Sequence, residues 1–211
     1  MATYKHTTGK RFHFIHIPRT GGRFIHENLL LNGFEQEHSS KGSIEGIEVL
    51  HFHRELYEKY LDVKDIPHIA VIRNPIDKFF SASSFFKRMY GDDIQEAMED
   101  PMMFHSMLTN FPLPESVNWY RSQLDFISDE THLWRFEDGF KEEFAEWMSN
   151  ILDVPFQVED VPYKELGYDE ENKLERSAKL LDNVRNLYRR EIETFYSQLA
   201  PSQQEGAKAK T

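Results

Sequence analysis

The 211-residue chain predicts an α/β fold of three layers, α/β/α, around a central parallel sheet. Three observations lead there. Two short apolar runs, Phe12 to Ile17 and His68 to Ile72, have the length and composition of buried strands. Each runs directly into a turn that opens an amphipathic helix. Further along, strand and helix patterns go on alternating, the order that builds a parallel sheet. The length suits one domain with a proper core, taken here as residues 1–200, and residues 201–211 read as a disordered tail.

The first strand leads into Pro18-Arg19-Thr20-Gly21-Gly22-Arg23 and a helix from Phe24 to Leu31. A strand, a glycine turn and a helix N-terminus in that order form an anion site. Glycine lets the backbone approach a ligand, the first-turn N–H groups point at it, and the helix dipole favours negative charge. Arg19 and Arg23 add full positive charges. A Walker loop would continue G-K-[ST] after its second glycine, whereas Arg23-Phe24 follow here, so the magnesium hydroxyl and the lysine are missing. The plain alternative is a Gly-Gly turn that only joins a strand to a helix.

Residues Glu35 to Glu48 are polar and read as a loop, and Glu55 to Leu61 as a helix. After the His68 strand comes Arg73, then Asn74 as an N-cap, Pro75 at the first helical position and Asp77 at the capping-box position. That helix runs through Phe86 towards Gly91. Arg73 thus stands at the carboxyl end of a strand, where open α/β sheets bind ligands, with Ser81 about two helical turns further on. A salt bridge for Arg73 and a packing role for Ser81 are the plain alternatives. Between Asp92 and Ser116, Met98, Met102, Met103, Phe104, Met107 and Phe111 recur among prolines, as core or as an adaptable lid. A helix from Trp119 to Ile127, a strand from Thr131 to Phe136 and a helix from Phe140 to Leu152 follow. One long C-terminal helix, Glu175 to Leu199, presents Leu180, Leu181, Val184, Leu187, Tyr188 and Ile192 on one face.

Taken together, I-P-R-T-G-G after one strand and R-N-P-x-x-K-x-x-S after another resemble the sulfotransferases that use 3′-phosphoadenosine 5′-phosphosulfate (PAPS). The resemblance covers residues 10 to 90 best and implies a P-loop-like sulfotransferase fold. It implies that Arg19, Thr20, Gly21, Gly22, Arg23 and Phe24 hold the 5′-phosphosulfate, and that Arg73 and Ser81 hold the 3′-phosphate. Lys78 falls on the family's second basic position. Leu50-His51-Phe52-His53 and the later Gly91-Asp92-Asp93 are similar to heparan sulfate 2-O-sulfotransferases. By that resemblance His53 is the base for the acceptor hydroxyl and His51 supports it. Strand alternation would put both histidines on one face. The family usually has lysine where this chain has Arg19. Arginine keeps the charge but is effectively never deprotonated, so it can neutralise the leaving oxygen and not protonate it.

Composition bounds the rest. There is no cysteine, which excludes disulfides and thiolate metal sites. The net charge of −11 argues against a chain that grips nucleic acid or a densely sulfated polymer over a broad surface. No apolar leader precedes the first strand and no run approaches the roughly 20 residues of a membrane span. The expectation is a cytoplasmic, metal-free, PAPS-dependent sulfotransferase acting on the hydroxyl of a carbohydrate or small molecule, with its oligomeric state open. Two other readings stay open: an ATP-using P-loop-like phosphotransferase, and a non-catalytic nucleotide-binding module.

Overall fold

The computed structural model describes residues 2–37, 42–44, 46–90, 98–100, 102, 104, 118–161 and 174–197. Its strands are β1 (Ala2–His6), β2 (Arg11–Ile15), β3 (Phe34–Gln36), β4 (Ser43–Ile44), β5 (Ile47–Glu48), β6 (His68–Ile72) and β7 (His132–Arg135). Five of them form one sheet in the order β3-β1-β2-β6-β7, and β4 pairs with β5 alone. The helices are α1 (Gly22–Leu31), α2 (Arg54–Tyr60), α3 (Pro75–Tyr90), α4 (Glu142–Leu152), α5 (Ala178–Leu187) and α6 (Arg189–Phe195). The fold is a mixed α/β one.

The sheet departs from the all-parallel expectation. β2, β6 and β7 are parallel, but β1 runs antiparallel to β2, with Tyr4 opposite Phe12, and β3 antiparallel to β1. The cause is a tight turn. His6 N–H donates to the Lys10 carbonyl at 2.8 Å, Gly9 N–H donates to the His6 carbonyl at 2.8 Å, and Gly9 takes φ +92°. A connection this short can join only antiparallel neighbours. β1 carries a single large apolar residue, Tyr4, so no hydrophobic run announces it.

Alternation along the strands divides the core. Phe12, Phe14, Ile69 and Val71 pack with Ile25 and Leu29 of α1 and Phe144, Met148 and Leu152 of α4. Ile15, Ala70 and Ile72 pack instead with Leu56 and Tyr57 of α2 and with Phe126 and Ile127. Each large side chain taken out of water in this way stabilises the fold by about 2 kcal/mol. A third cluster joins α3 to α5 through Phe79, Phe80, Tyr120, Leu180, Val184 and Tyr188.

Several elements differ from expectation. The C-terminal helix is two helices, broken at Tyr188, whose φ of −104° and ψ of 21° are not helical. The break buries the Tyr188 ring and leaves Leu187 42% exposed. Trp119 to Ile127 is a helical turn at 118–120 followed by a 3₁₀ turn, Gln123–Asp125. The stretch expected as a loop from Glu35 contains β3 and the β4–β5 ladder. Met98 and Phe104 are core residues beside Phe79, whereas Met102 is 84% exposed. Gly91, Asp92, Asp93, Met103, Met107, Phe111 and the 201–211 tail lie outside the described residues. Among the described residues no helix is long and apolar enough to cross a membrane.

Candidate functional site

Parallel pairing of Ile15 with Ala70 brings the ends of β2 and β6 side by side, so the Arg19 and Arg73 loops leave the sheet together. In the first loop Arg19 (φ +68°) and Gly21 (φ +89°) are left-handed around the buried Thr20, whose hydroxyl donates to the Ile17 carbonyl at 2.9 Å. An arginine in this region is uncommon, and such strain persists only where surrounding contacts hold it. The turn swings the chain so that α1 begins at Gly22, with Ile25 N–H donating to the Gly21 carbonyl at 3.2 Å. The amides before Ile25 precede the first intrahelical bond.

Both glycines are cradled. A Cβ on Gly22 would collide with the His16 ring, and one on Gly21 would stand 3.2 Å from the rings of Phe136 and Phe140. Phe24 stacks on Phe140 with centroids 5.3 Å apart, and Arg23 is exposed on the outer side of α1. Of the residues expected at this loop, Arg23 therefore has the least contact with it.

Arg19, Ser81 and Arg73 come together. Arg19 Nε donates to Ser81 Oγ at 3.0 Å, and Ser81 is only 4% exposed. Arg73 Nη1 donates to the Arg19 carbonyl at 3.0 Å, with its guanidinium 4.4 Å from the Phe136 ring centroid. The second arginine thus holds the main chain of the strained first one. Asn74 caps α3 as expected, accepting Ile76 N–H on Oδ1 at 3.0 Å, while Asp77 pairs with Arg176 at 2.7 Å.

Lys78 turns away from the loop. Its Nζ is buried and donates to the carbonyls of Trp119 at 2.9 Å and Arg121 at 3.1 Å. Burial pushes its pKa down to about 8, against the pull of Glu191 and Asp125. Lys78 ties α3 to the 118–122 segment.

The histidine segment is not a strand. Val49–His51 is a 3₁₀ turn, Phe52 is buried in the core, and His53 is the N-cap of α2. His51 and His53 are 7% and 8% exposed. His51 lies with its ring 5.0 Å from His16 and 5.9 Å from Trp119, and the Trp119 ring is in turn 5.8 Å from the Arg19 guanidinium. Asn118 Nδ2 donates to the His51 carbonyl at 2.6 Å. His53 stands 3.9 Å from the Glu55 carboxylate and 6.5 Å from the Phe126 ring.

His16 is the residue that sequence reasoning passes over. It follows β2, fills the space left by Gly22 and faces His51. Burial first, and then the charge that His51 would bring, hold its pKa well below the usual histidine range. The signal is there in part, because a polar ring between apolar neighbours just before a glycine turn is hard to place in an apolar strand. Among the described residues no group of three or more histidines and carboxylates is arranged to hold a metal ion.

No protein-family model matches the chain, and comparison with curated proteins and with solved structures gives no match. The functional reading therefore rests on the site: a mixed sheet whose adjacent parallel strands lead into loops carrying two arginines, beside a buried serine of α3 and the N-terminus of α1.

Proposed function

We propose that the protein is a PAPS-dependent sulfotransferase with a P-loop-like fold, transferring a sulfuryl group to an acceptor hydroxyl of a carbohydrate or small molecule. The observation that carries this reading is the meeting of Arg19, Ser81 and Arg73 at the ends of two parallel strands. Two arginines and a serine hydroxyl beside a helix N-terminus suit the anionic oxygens of a nucleotide.

When bound, PAPS supplies the sulfuryl group. The backbone N–H groups of residues 20 to 24, with Arg19, would stabilise the charge left on the 5′-phosphate. Arg73 and Ser81 would hold the 3′-phosphate. His53 would take the acceptor's proton as the new S–O bond forms, with His51 steadying the site through its contacts to His16 and Trp119.

Calorimetry tests the nucleotide. Adenosine 3′,5′-bisphosphate should bind without magnesium and more tightly than ATP, and magnesium-dependent ATP binding of equal strength would favour a phosphotransferase instead. Arg73→Ala should weaken the bisphosphate by on the order of 2 kcal/mol and adenosine 5′-phosphosulfate by less, through the lost bond to the Arg19 carbonyl. His53→Ala should keep nucleotide affinity and lose transfer by roughly 100-fold or more. His51→Ala should cost less, and wild-type turnover should fall as the pH is lowered and the base is protonated. A wild-type protein that binds PAPS and transfers to no acceptor would make the non-catalytic module the better account.

A further inference from the structure

The two C-terminal helices, far from the loops in sequence, reach the site through a buried carboxylate. Glu191 of α6 is 1% exposed, and both its oxygens serve one residue. Gln123 N–H donates to Oε1 at 3.0 Å, and Gln123 Nε2 donates to Oε2 at 2.8 Å. The same Gln123 amide, fully buried, brackets the main chain of Arg73. Its Oε1 accepts Arg73 N–H at 2.9 Å, and its Nε2 donates to the Arg73 carbonyl at 2.7 Å.

Every polar atom in this relay has its direction fixed. The carboxylate only accepts, so it sets which end of the Gln123 amide carries the donors, and that amide then fits Arg73 in one orientation only. A buried carboxylate is a costly way to pack a helix, because an apolar side chain of similar size would do so without desolvating a charge. A second thread from the same region ends beside the first. Tyr196 Oη donates to Glu137 Oε2 at 3.1 Å, and Glu137 Oε1 accepts the Asn74 N–H at 2.6 Å. Residues 73 and 74 are thus tied to the C-terminal helices through two carboxylates, Glu191 by way of Gln123 and Glu137 by way of Tyr196.

We propose that Glu191 is a positioning residue for the anion site: through Gln123 it locks the Arg73 main chain and so aims the Arg73 guanidinium at the Arg19 loop. Its ligand arm rests on the nucleotide reading given above, and its structural arm does not.

The test uses the full chain and the variant Glu191→Gln, which is isosteric but sets a donor against the Gln123 donor. In the ligand-free protein, amide hydrogen exchange at Arg73 should quicken by roughly tenfold or more, with Phe14 in β2 unchanged. In calorimetry, adenosine 3′,5′-bisphosphate should lose roughly tenfold in affinity and adenosine 5′-monophosphate a smaller factor, about threefold, through the Arg19 loop. Tyr188→Phe is the control. It removes the 2.6 Å bond from the Tyr188 hydroxyl to the Tyr120 carbonyl, loosening the same helices without touching Gln123, and should leave the ratio of the two affinities unchanged. If Glu191→Gln does not fold, Glu191→Asp carries the same comparison with the charge kept and the reach shortened. Unchanged exchange at Arg73, or equal loss for both nucleotides, would overturn the proposal. Faster exchange confined to Arg73 in a protein that binds no bisphosphate would leave the positioning role standing and remove the nucleotide reading.

Discussion

Gly22 has ordinary helical backbone at the first position of α1, where alanine is intrinsically better by about 0.5–1 kcal/mol. What demands glycine is the His16 ring lying where a Cβ would go. Two substitutions separate these effects by sign. Gly22→Ala should destabilise the wild-type protein by about 1–3 kcal/mol, the usual cost of forcing atoms into a packed site. Made in a His16→Ala background, the same change should be neutral or stabilising by up to about 1 kcal/mol. Denaturant unfolding of the four proteins of that cycle measures it, and a Gly22→Ala cost that persists without His16 would mean that something other than the His16 ring excludes a side chain there. The glycines are legible in the sequence as a turn, because Gly-Gly after an apolar run has few other uses. Their partnership with His16 is not, since it depends on where the ring of an upstream residue points.

Among the elements, α3 shows both what local pattern announces and what it hides. Asn74 and Pro75 mark its start from sequence alone, and the Asn74 side chain caps it as read. Strand, turn and helix from Arg11 to Leu31 are equally plain. Lys78, however, falls on the second basic position of the motif the sequence resembles, and the fold buries it against carbonyls 41 and 43 residues away. Gln123 and Glu191 are invisible for the same reason: Gln123 reaches Arg73 across 50 residues, and Glu191 reaches Gln123 across 68. The His51-Phe52-His53 alternation is too short to tell a strand from a helix cap, and β1 has no apolar run to declare it. Lys78 can be tested through pH. Its pKa lies near 8 when folded, against 10.5 for an ordinary exposed lysine, so the unfolded chain holds the extra proton between those limits. Where the unfolded state binds more protons, stability rises with pH. Thermal unfolding of the wild type should therefore gain on Lys78→Met between about pH 8 and 10, and a constant difference would mean that Lys78 keeps its proton when folded.

At the scale of the molecule, 36 acidic residues against 25 basic ones leave a charge of −11, while the candidate site gathers Arg19 and Arg73 beside a helix N-terminus. An incoming nucleotide anion meets repulsion from the whole chain before it meets the arginines. Salt separates the two fields by range. The Debye length falls from about 30 Å at 0.01 M to about 8 Å at 0.15 M, so added salt first removes the long-range repulsion and leaves contacts of about 3 Å far less affected. The association rate constant of adenosine 3′,5′-bisphosphate, followed by stopped flow, should therefore rise over that range. The dissociation rate should rise as well, because the charge-assisted contacts weaken, so affinity should change less than either rate. An association rate that falls steeply with salt would mean that the arginines and the helix end dominate the field well beyond the site, outweighing the acidic surface as the anion approaches.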